Sequence, residues 1–153
     1  MAIEEQTKVL EELKTLCQKT YGRRLVSLAI FGSLGRGTAR PDSDIDILLV
    51  VNDLSTRRMV RIQEFLPIEA RLPGILLSPV FKTPQEIKSG SWLLLDMVED
   101  AVILFDRGNF LKGTLDSLRQ NLKKLGAKRI WSGNAWYWDL KPNYQPGEVF
   151  ELE

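Results

Sequence analysis

A segment in the first third of the chain places a glycine–serine turn before two closely spaced aspartates. It runs from Phe31 to Asp46 and reads FGSLGRGTARPDSDID. Gly32 allows backbone to approach a ligand closely, Ser33 adds a hydroxyl, and a helix starting after the turn would present free N–H groups. Such groups, together with the helix dipole, suit a phosphate. The first half of the segment therefore predicts a phosphate-binding loop.

The second half of the segment holds a pair of carboxylates. Asp44 and Asp46 stand two residues apart at the start of an apolar run, so in a strand their side chains would point to the same side. Neighbouring carboxylates repel each other, and a divalent cation relieves that repulsion. Magnesium often takes one or two carboxylates together with phosphate oxygens. Each half alone also fits an ordinary turn, but the two in this order predict a site for magnesium and a nucleoside triphosphate.

The same segment resembles the signature of the minimal nucleotidyltransferases, which belong to the DNA polymerase beta-like nucleotidyltransferase superfamily. That signature is G-S-x-x-R-G followed by S-D-x-D. The positions that agree with it are Gly32, Ser33, Arg36, Gly37, Ser43, Asp44 and Asp46.

The resemblance implies a role for most of these positions. The nucleotide-binding residues that it implies are Gly32, Ser33, Arg36 and Ser43. Asp44 and Asp46 would be the catalytic residues and would hold the magnesium ion. The implied reaction is attack of an acceptor hydroxyl, on a small molecule or a protein, on the α-phosphate of a nucleoside triphosphate such as ATP. Pyrophosphate leaves, and magnesium stabilises the charge that develops.

The chain departs from the superfamily pattern at a third carboxylate, which the following strand normally supplies. The apolar run 75–81 contains no acid, and the nearest acids on either side are Glu69 and Glu86. Catalysis with two metal ions needs enough ligands for both. The sequence leaves open whether Glu69, Glu86 or another acid completes the site.

Two further functions stay open beside the enzyme. Relatives of this length often act as antitoxin-like partners of a HEPN-type toxin, and some modify the toxin with AMP, so the resemblance implies a possible protein partner. The missing third acid is also compatible with a nucleotide-binding module with reduced or no catalysis.

The elements that would position the site alternate between helical and buried-strand patterns. Apolar spacing predicts helices over 3–21, 56–68 and 109–125, with a further helix start at Thr83–Glu86. Short apolar runs predict strands over 25–31, 45–51, 75–81 and 101–105. The expected fold class is α/β (α+β): a mixed β-sheet flanked by helices. The resemblance implies the polymerase beta-like nucleotidyltransferase fold.

The C-terminal part of the chain differs in composition. Residues 1–127 are expected to form the nucleotidyltransferase domain, and 128–153 an aromatic-rich extension packed on the same domain. Its aromatic residues are Trp131, Trp136, Tyr137, Trp138, Tyr144 and Phe150. They fit burial against the body, and stacking on a base is the alternative.

Composition excludes several kinds of chemistry. The chain has 153 residues, the size of one domain, with a single cysteine, Cys17, and no histidine. An internal disulfide, a Cys/His zinc site and catalysis by a Ser–His or Cys–His pair are therefore excluded. The formal net charge is +1, so binding to nucleic acid is not indicated. No apolar run is long enough to span a bilayer, and the acidic N-terminus is unlike a signal peptide, so we expect a cytoplasmic protein.

Some charged and apolar residues admit two interpretations. The leucine stripe within 109–125 is expected to pack in the core, with a homodimer seam as the alternative. The basic residues near its end fit either a solvated face or an acceptor site, and those at the start of the helix over 56–68 fit either a surface or a phosphate contact. These basic residues are Arg119, Lys123, Lys124, Lys128, Arg129, Arg57, Arg58 and Arg61.

Overall fold

The structure is a computed structural model, and it describes residues 3–36, 44–90, 92–132 and 135–139. Ser43, Tyr144 and Phe150 lie outside the described residues. The helices are α1 Ile3–Tyr21, α2 Gly32–Arg36, α3 Arg58–Ala70, α4 Pro84–Lys88, α5 Leu93–Met97 and α6 Phe110–Leu125. The strands are β1 Leu25–Phe31, β2 Ile45–Val51, β3 Leu77–Lys82, β4 Val102–Asp106, β5 Lys128–Ser132 and β6 Ala135–Asp139.

The main sheet has four strands in the order β3-β2-β1-β4. Strand β1 is antiparallel to both β2 and β4, whereas β2 and β3 are parallel and joined through α3. The prediction of a mixed sheet flanked by helices is thus confirmed. Because β1 and β2 run in opposite directions, the end of β1 and the start of β2 meet at one end of the sheet, where Phe31 pairs with Asp46. That end carries the predicted phosphate loop and both aspartates.

Both faces of the sheet are covered, which explains the continuous apolar runs of β1 and β2. One face packs against α1 and α3, and its buried residues include Leu13, Cys17, Ile30, Ile47, Phe65 and Ile68. The other face packs against α4, α5 and α6, and its buried residues include Ala29, Leu48, Val50, Ile87, Met97 and Leu111. Side chains alternate along β2, so Asp46 belongs to the face of Leu48 and Val50.

The boundaries of β3 and α3 differ most from the sequence prediction, while those of β4 and α6 differ by one residue. Strand β3 begins at Leu77 and ends at Lys82, so the predicted strand starts two residues too early. Helix α3 continues past Pro67 to Ala70, although a proline removes one helical hydrogen bond. Ile68 is fully buried in the core, and this anchors the turn after the proline. Pro79 lies in β3, which is an edge strand, the usual place in a sheet for a residue without an N–H to donate.

The last described elements, β5 and β6, form a separate two-stranded hairpin. Among the described residues, two polar contacts join it to the body, beside the apolar packing of Trp138. The guanidinium of Arg129 donates to the carboxylate of Asp100 over 2.6 and 3.2 Å, and the indole Nε1 of Trp138 donates to the Leu95 carbonyl over 2.9 Å. Within the described ranges, no helix has the length and apolar composition needed to cross a membrane.

Candidate functional site

The site predicted from sequence assembles where β1 passes into α2 beside the start of β2. Gly32 has a φ of +68°, a backbone conformation that glycine adopts most easily. A β-carbon built at Gly32 would overlap Oδ2 of Asp46. The turn therefore lies directly against the Asp46 carboxylate, and this contact is possible only because residue 32 has no side chain. The structure brings together the two residues at the centre of the predicted phosphate and metal site.

Asp44, the other aspartate of the pair, lies at the same end of the sheet, on the surface. Asp44 is exposed and immediately precedes β2, where Ile45 donates its N–H to the Leu76 carbonyl over 2.8 Å. The backbone around Asp44 is thus fixed by strand pairing, while its side chain is open to solvent. Both aspartates belong to the end of the sheet that holds the turn.

The other predicted nucleotide-binding residues are placed only in part. Ser33 and Arg36 lie within α2, which begins at Gly32 and directly follows β1. Ser43 lies outside the described residues. Helix α2 approaches the chain before β4 closely, because a β-carbon at Gly35 would lie 2.5 Å from the Asp100 carbonyl oxygen. The two glycines thus let α2 rest between the start of β2 and the start of β4.

Glu86 is not the missing third acid. It follows the far end of β3, whereas Asp46 pairs with Ser78 near the beginning of that strand. The Glu86 carboxylate accepts from the backbone N–H of Thr83 over 2.9 Å and forms an ion pair with Arg61 at 3.0 Å. The bond from Thr83 and the pairing with Arg61 lower the pKa of Glu86. This acid stabilises the start of α4.

Glu69 belongs to the opposite layer of the molecule. It is exposed on α3, and α3 packs on the face of the sheet that holds Ile47 rather than the face of Asp46. Asp100, an acid that precedes β4, forms an ion pair with Arg129, and both side chains are mostly buried. Within the part of the chain that is described, no group of three or more Asp, Glu, Cys or His residues is arranged to hold a metal ion.

Ser78 lies next to Asp46 on the neighbouring strand and was not predicted from the sequence as a site residue. In the parallel pair of β2 and β3 it is the register partner of Asp46, so the two side chains share a face of the sheet. It thus stands where a third carboxylate from the following strand would lie next to Asp46. A hydroxyl offers a neutral oxygen there instead of a charge. The register identifies this residue, and the sequence alone contains no signal for it.

Three of the basic residues that were considered for phosphate or acceptor contacts instead form contacts within the fold. Arg61 donates to the carbonyl oxygens of Ser55 and Phe81, at the end of the sheet away from Asp46. Arg119 pairs with Asp116 and donates to the Val98 carbonyl. Arg129 is held by Asp100 and lies over the rings of Trp131 and Trp136. These three arginines therefore stabilise the fold, while Lys123, Lys124 and Lys128 are exposed.

Cys17 plays no part in the site. It is fully buried among the apolar residues between α1 and the sheet, and burial raises the pKa of its thiol to about 12. A thiol in such surroundings stays protonated and unreactive at neutral pH. Cys17 is therefore an inert core residue.

Comparison with known proteins identifies a family and a fold. Residues 8–145 match the family model of the nucleotidyltransferase domain. A protein of Methanocaldococcus jannaschii, whose name provisionally describes it as a protein adenylyltransferase, is 31% identical over 133 residues, which cover 84% of this chain and 90% of that protein.

Two solved structures share the fold at lower identity. One is described as a toxin–antitoxin with AMP-PNP and has a TM-score of 0.53, with 19% identity, covering 76% of this chain and 92% of that chain. The other is described as a tri-AMPylated Shewanella oneidensis HEPN toxin in complex with an MNT antitoxin. It has a TM-score of 0.53, with 18% identity, covering 78% of this chain and 90% of that chain.

Proposed function

The chain belongs to the nucleotidyltransferase domain family and is a nucleotidyltransferase, and we propose that it transfers AMP from ATP to a hydroxyl group on a protein in a magnesium-dependent reaction. The observation that carries this proposal is the apposition of Gly32 and Asp46. It places a carboxylate against the turn that begins α2. A cation held there would lie beside any phosphate that the turn binds.

The donor set at this place is chemically suited to magnesium. Asp44 and Asp46 supply two carboxylates, and the absence of a side chain at Gly32 leaves backbone next to them. Magnesium characteristically binds one or two carboxylates and completes its shell with water and substrate phosphate. Asp44 and Asp46 would hold the ion, which when bound stabilises the negative charge on the phosphate oxygens. Two protein carboxylates thus suffice for one ion.

The chain's own residues then orient the reactants. The Gly32–Ser33 turn and the start of α2 hold the triphosphate, and the covered sheet beneath fixes that turn relative to β2. The oxygen of the acceptor hydroxyl forms a bond to the α-phosphorus, and its proton passes to the solvent. The bond between the α-phosphorus and its bridging oxygen breaks, and pyrophosphate leaves with that oxygen. Positioning and charge stabilisation supply the catalysis in such a reaction.

A protein acceptor is favoured over a small molecule by the relative from Methanocaldococcus jannaschii, whose printed name specifies a protein substrate. A HEPN-type toxin is the first acceptor to test, because a neighbour of the same fold is described with an AMPylated toxin of that type. Under this proposal the antitoxin-like role and the enzyme role are one: the chain binds its partner and adds AMP to it.

The experiment is transfer of label from ATP carrying radioactive α-phosphate. The purified chain is incubated with labelled ATP, Mg²⁺ and either cell extract or a HEPN-type protein encoded beside it. We expect a labelled protein band that resists ribonuclease and disappears with Asp46→Asn. Asp116→Asn is the matched control, because it removes an exposed carboxylate from α6, away from the site. Absence of label with every common nucleoside triphosphate would contradict the proposal.

Calorimetry distinguishes the enzyme from a binding module. If an ATP analogue that cannot be cleaved binds in the presence of Mg²⁺ but ATP gives no pyrophosphate and no labelled product, the chain is a nucleotide-binding module without turnover. If the analogue does not bind, both functions are excluded.

A further inference from the structure

A groove lies between α6 and the chain from α4 through α5, and the proposed reaction does not use it. Its volume is about 690 Å³. The apolar residues that line it are Ile87, Trp92, Leu94, Leu95 and Leu118. Trp92 is 72% exposed, the largest exposed fraction among the exposed large hydrophobic residues of the described chain. A surface of this kind on a folded domain commonly receives another segment or molecule.

The described chain ends at the rim of this groove. Strand β6 stops at Asp139. One residue earlier, the indole Nε1 of Trp138 donates to the carbonyl oxygen of Leu95 over 2.9 Å, and the ring packs in a cluster with Leu95 and Leu118. Leu95 and Leu118 also line the groove. The described chain therefore ends next to two of the residues that line the groove.

The segment that follows suits the groove in length and composition. Residues 140–153 could extend over about 46 Å, and the stretch of α6 that lines the groove, 114–121, spans only about 10 Å. The apolar residues of the segment are Leu140, Tyr144, Val149, Phe150 and Leu152. It carries three glutamates and one lysine, so its side chains have a net charge of −2. The charged residue among those lining the groove is Lys88, a cation.

We propose that residues 140–153 of the same chain occupy this groove, with Val149, Phe150 and Leu152 against its apolar walls and the glutamates of the segment near Lys88. Trp138 anchors the start of the segment, so docking is intramolecular and needs no second molecule to be captured from solution. The segment would thereby cover Trp92 and join the C-terminal extension to the layer of α4, α5 and α6. This inference is independent of the nucleotidyl transfer proposed above.

The first test is hydrogen exchange on the full chain and on a chain that ends at Asp139. Removal of 140–153 should make the backbone amides of 87–95 and 114–121 exchange at least about tenfold faster, while amides of β1 and β2 keep their protection. A synthetic peptide of residues 140–153 added in excess should restore the slow exchange. Unchanged exchange of 87–95 and 114–121 in a folded truncated chain would overturn the proposal.

Point variants keep the test valid if the truncated chain does not fold. The double variant Val149→Ser and Phe150→Ser should reproduce the faster exchange, whereas the matched control Asn143→Ala and Gln145→Ala should not. Oxidation of a chain with Ser117→Cys and Phe150→Cys should give an intramolecular disulfide, since Cys17 is buried. A disulfide-linked dimer instead would assign the groove to a second copy and overturn the proposal.

Discussion

Gly32 determines both the backbone conformation of the turn and its close contact with Asp46. Its φ of +68° is unfavourable for any residue with a side chain, and a methyl group there would collide with the Asp46 carboxylate. We expect Gly32→Ala to lower the rate of nucleotidyl transfer at least about 100-fold, because small displacements of catalytic groups have effects of that size. The loss of folding stability should be only about 1–2 kcal/mol. Steady-state labelling and urea unfolding measure the two effects.

Gly108→Ala is the matched control for this prediction. Gly108 has a similar φ of +61°, but nothing lies within 4 Å of a β-carbon built there. It should lose a comparable amount of stability and keep its activity. Equal loss of activity in both variants would show that backbone strain, and not the contact with Asp46, explains the effect.

Ser78 offers a gain-of-function test at the same site. Ser78→Asp would add a third carboxylate, on the face of Asp46, and the attraction of one more nearby charge for the ion is worth about 1–4 kcal/mol. The Mg²⁺ concentration for half-maximal activity should therefore fall at least about tenfold. Ser78→Ala should leave this concentration unchanged. A higher Mg²⁺ requirement in Ser78→Asp would mean that no cation lies between these strands.

The sequence motif identified Asp44, Asp46 and Gly32 as site residues, because their types and spacing are local properties. It could not identify Ser78 or reject Glu86. Those two conclusions depend on the register of β2 with β3, which pairs Asp46 with Ser78 and places Glu86 beyond the far end of the strand. Register is set by packing across the whole sheet rather than by neighbouring residues.

Among the elements, α4 is stabilised at its start by a reciprocal pair of hydrogen bonds. The Thr83 hydroxyl accepts from the Glu86 N–H over 3.1 Å, and the Glu86 carboxylate accepts from the Thr83 N–H. The sequence predicted this arrangement from Thr83, Pro84 and Glu86, and the structure confirms it. The start of α4 could be predicted from the sequence because capping depends on residues only three positions apart.

The lowered pKa of Glu86 predicts a pH-dependent stability. A carboxylate whose pKa is lower in the folded state stabilises the fold above its unfolded value of 4.5, and this contribution is lost as the pH falls through the folded value. Glu86→Gln should therefore lower the unfolding free energy at neutral pH by only about 0.5 kcal/mol, because solvent screens a carboxylate that is 41% exposed. The difference from the unmodified chain should shrink as the pH falls below 4.5. Urea unfolding across this range measures it.

Glu12→Gln is the control for this prediction, because Glu12 is an exposed acid within α1. It should change stability little at any pH. A cost of Glu86→Gln that persists unchanged in acid would contradict the assigned role of the charge.

The hairpin of β5 and β6 is held by a buried ion pair with aromatic rings around it. Arg129 lies 4.8 Å from the ring of Trp131 and 4.2 Å from that of Trp136, while its guanidinium binds Asp100. Arg129→Met would leave the Asp100 carboxylate buried without its partner. We expect a loss of about 3 kcal/mol in unfolding free energy, of which the double variant with Asp100→Asn should recover a part.

Lys112→Met is the matched control for the ion pair. Lys112 forms an exposed pair with Asp116 at 3.0 Å, and solvent screening leaves such pairs with little effect on stability. Guanidinium denaturation of the single and double variants gives the coupling energy. Equal small effects of Arg129→Met and Lys112→Met would show that burial does not strengthen the Asp100 contact.

Element type was predictable from sequence to a greater extent than element boundaries. The apolar runs of β1 and β2 are buried on both faces and were identified to the residue. The predicted bounds of α3 and β3 were wrong for two reasons. Burial of Ile68 in the core extends α3 past Pro67. Strand β3 begins only at Leu77, where it first pairs with β2. Neither cause is visible in local spacing.

At the scale of the whole molecule, a sheet covered on both faces fixes a short polar segment at one end. The start of β2 and the end of β1 cannot separate without breaking a core in which Leu28, Ile47 and Leu48 are fully buried. The aspartates are therefore held near each other before any ligand arrives, which reduces the free energy needed to assemble a metal site. We therefore expect the two aspartates to form a preorganised cation site.

Electron paramagnetic resonance can measure the binding of Mn²⁺ to this site in the presence of an uncleavable ATP analogue. The unmodified chain and the Asp116→Asn control should bind the ion with equal affinity. Asp44→Asn and Asp46→Asn should each weaken binding at least about tenfold, as expected for loss of a charged ligand. Unchanged Mn²⁺ affinity in folded Asp46→Asn protein would contradict the account.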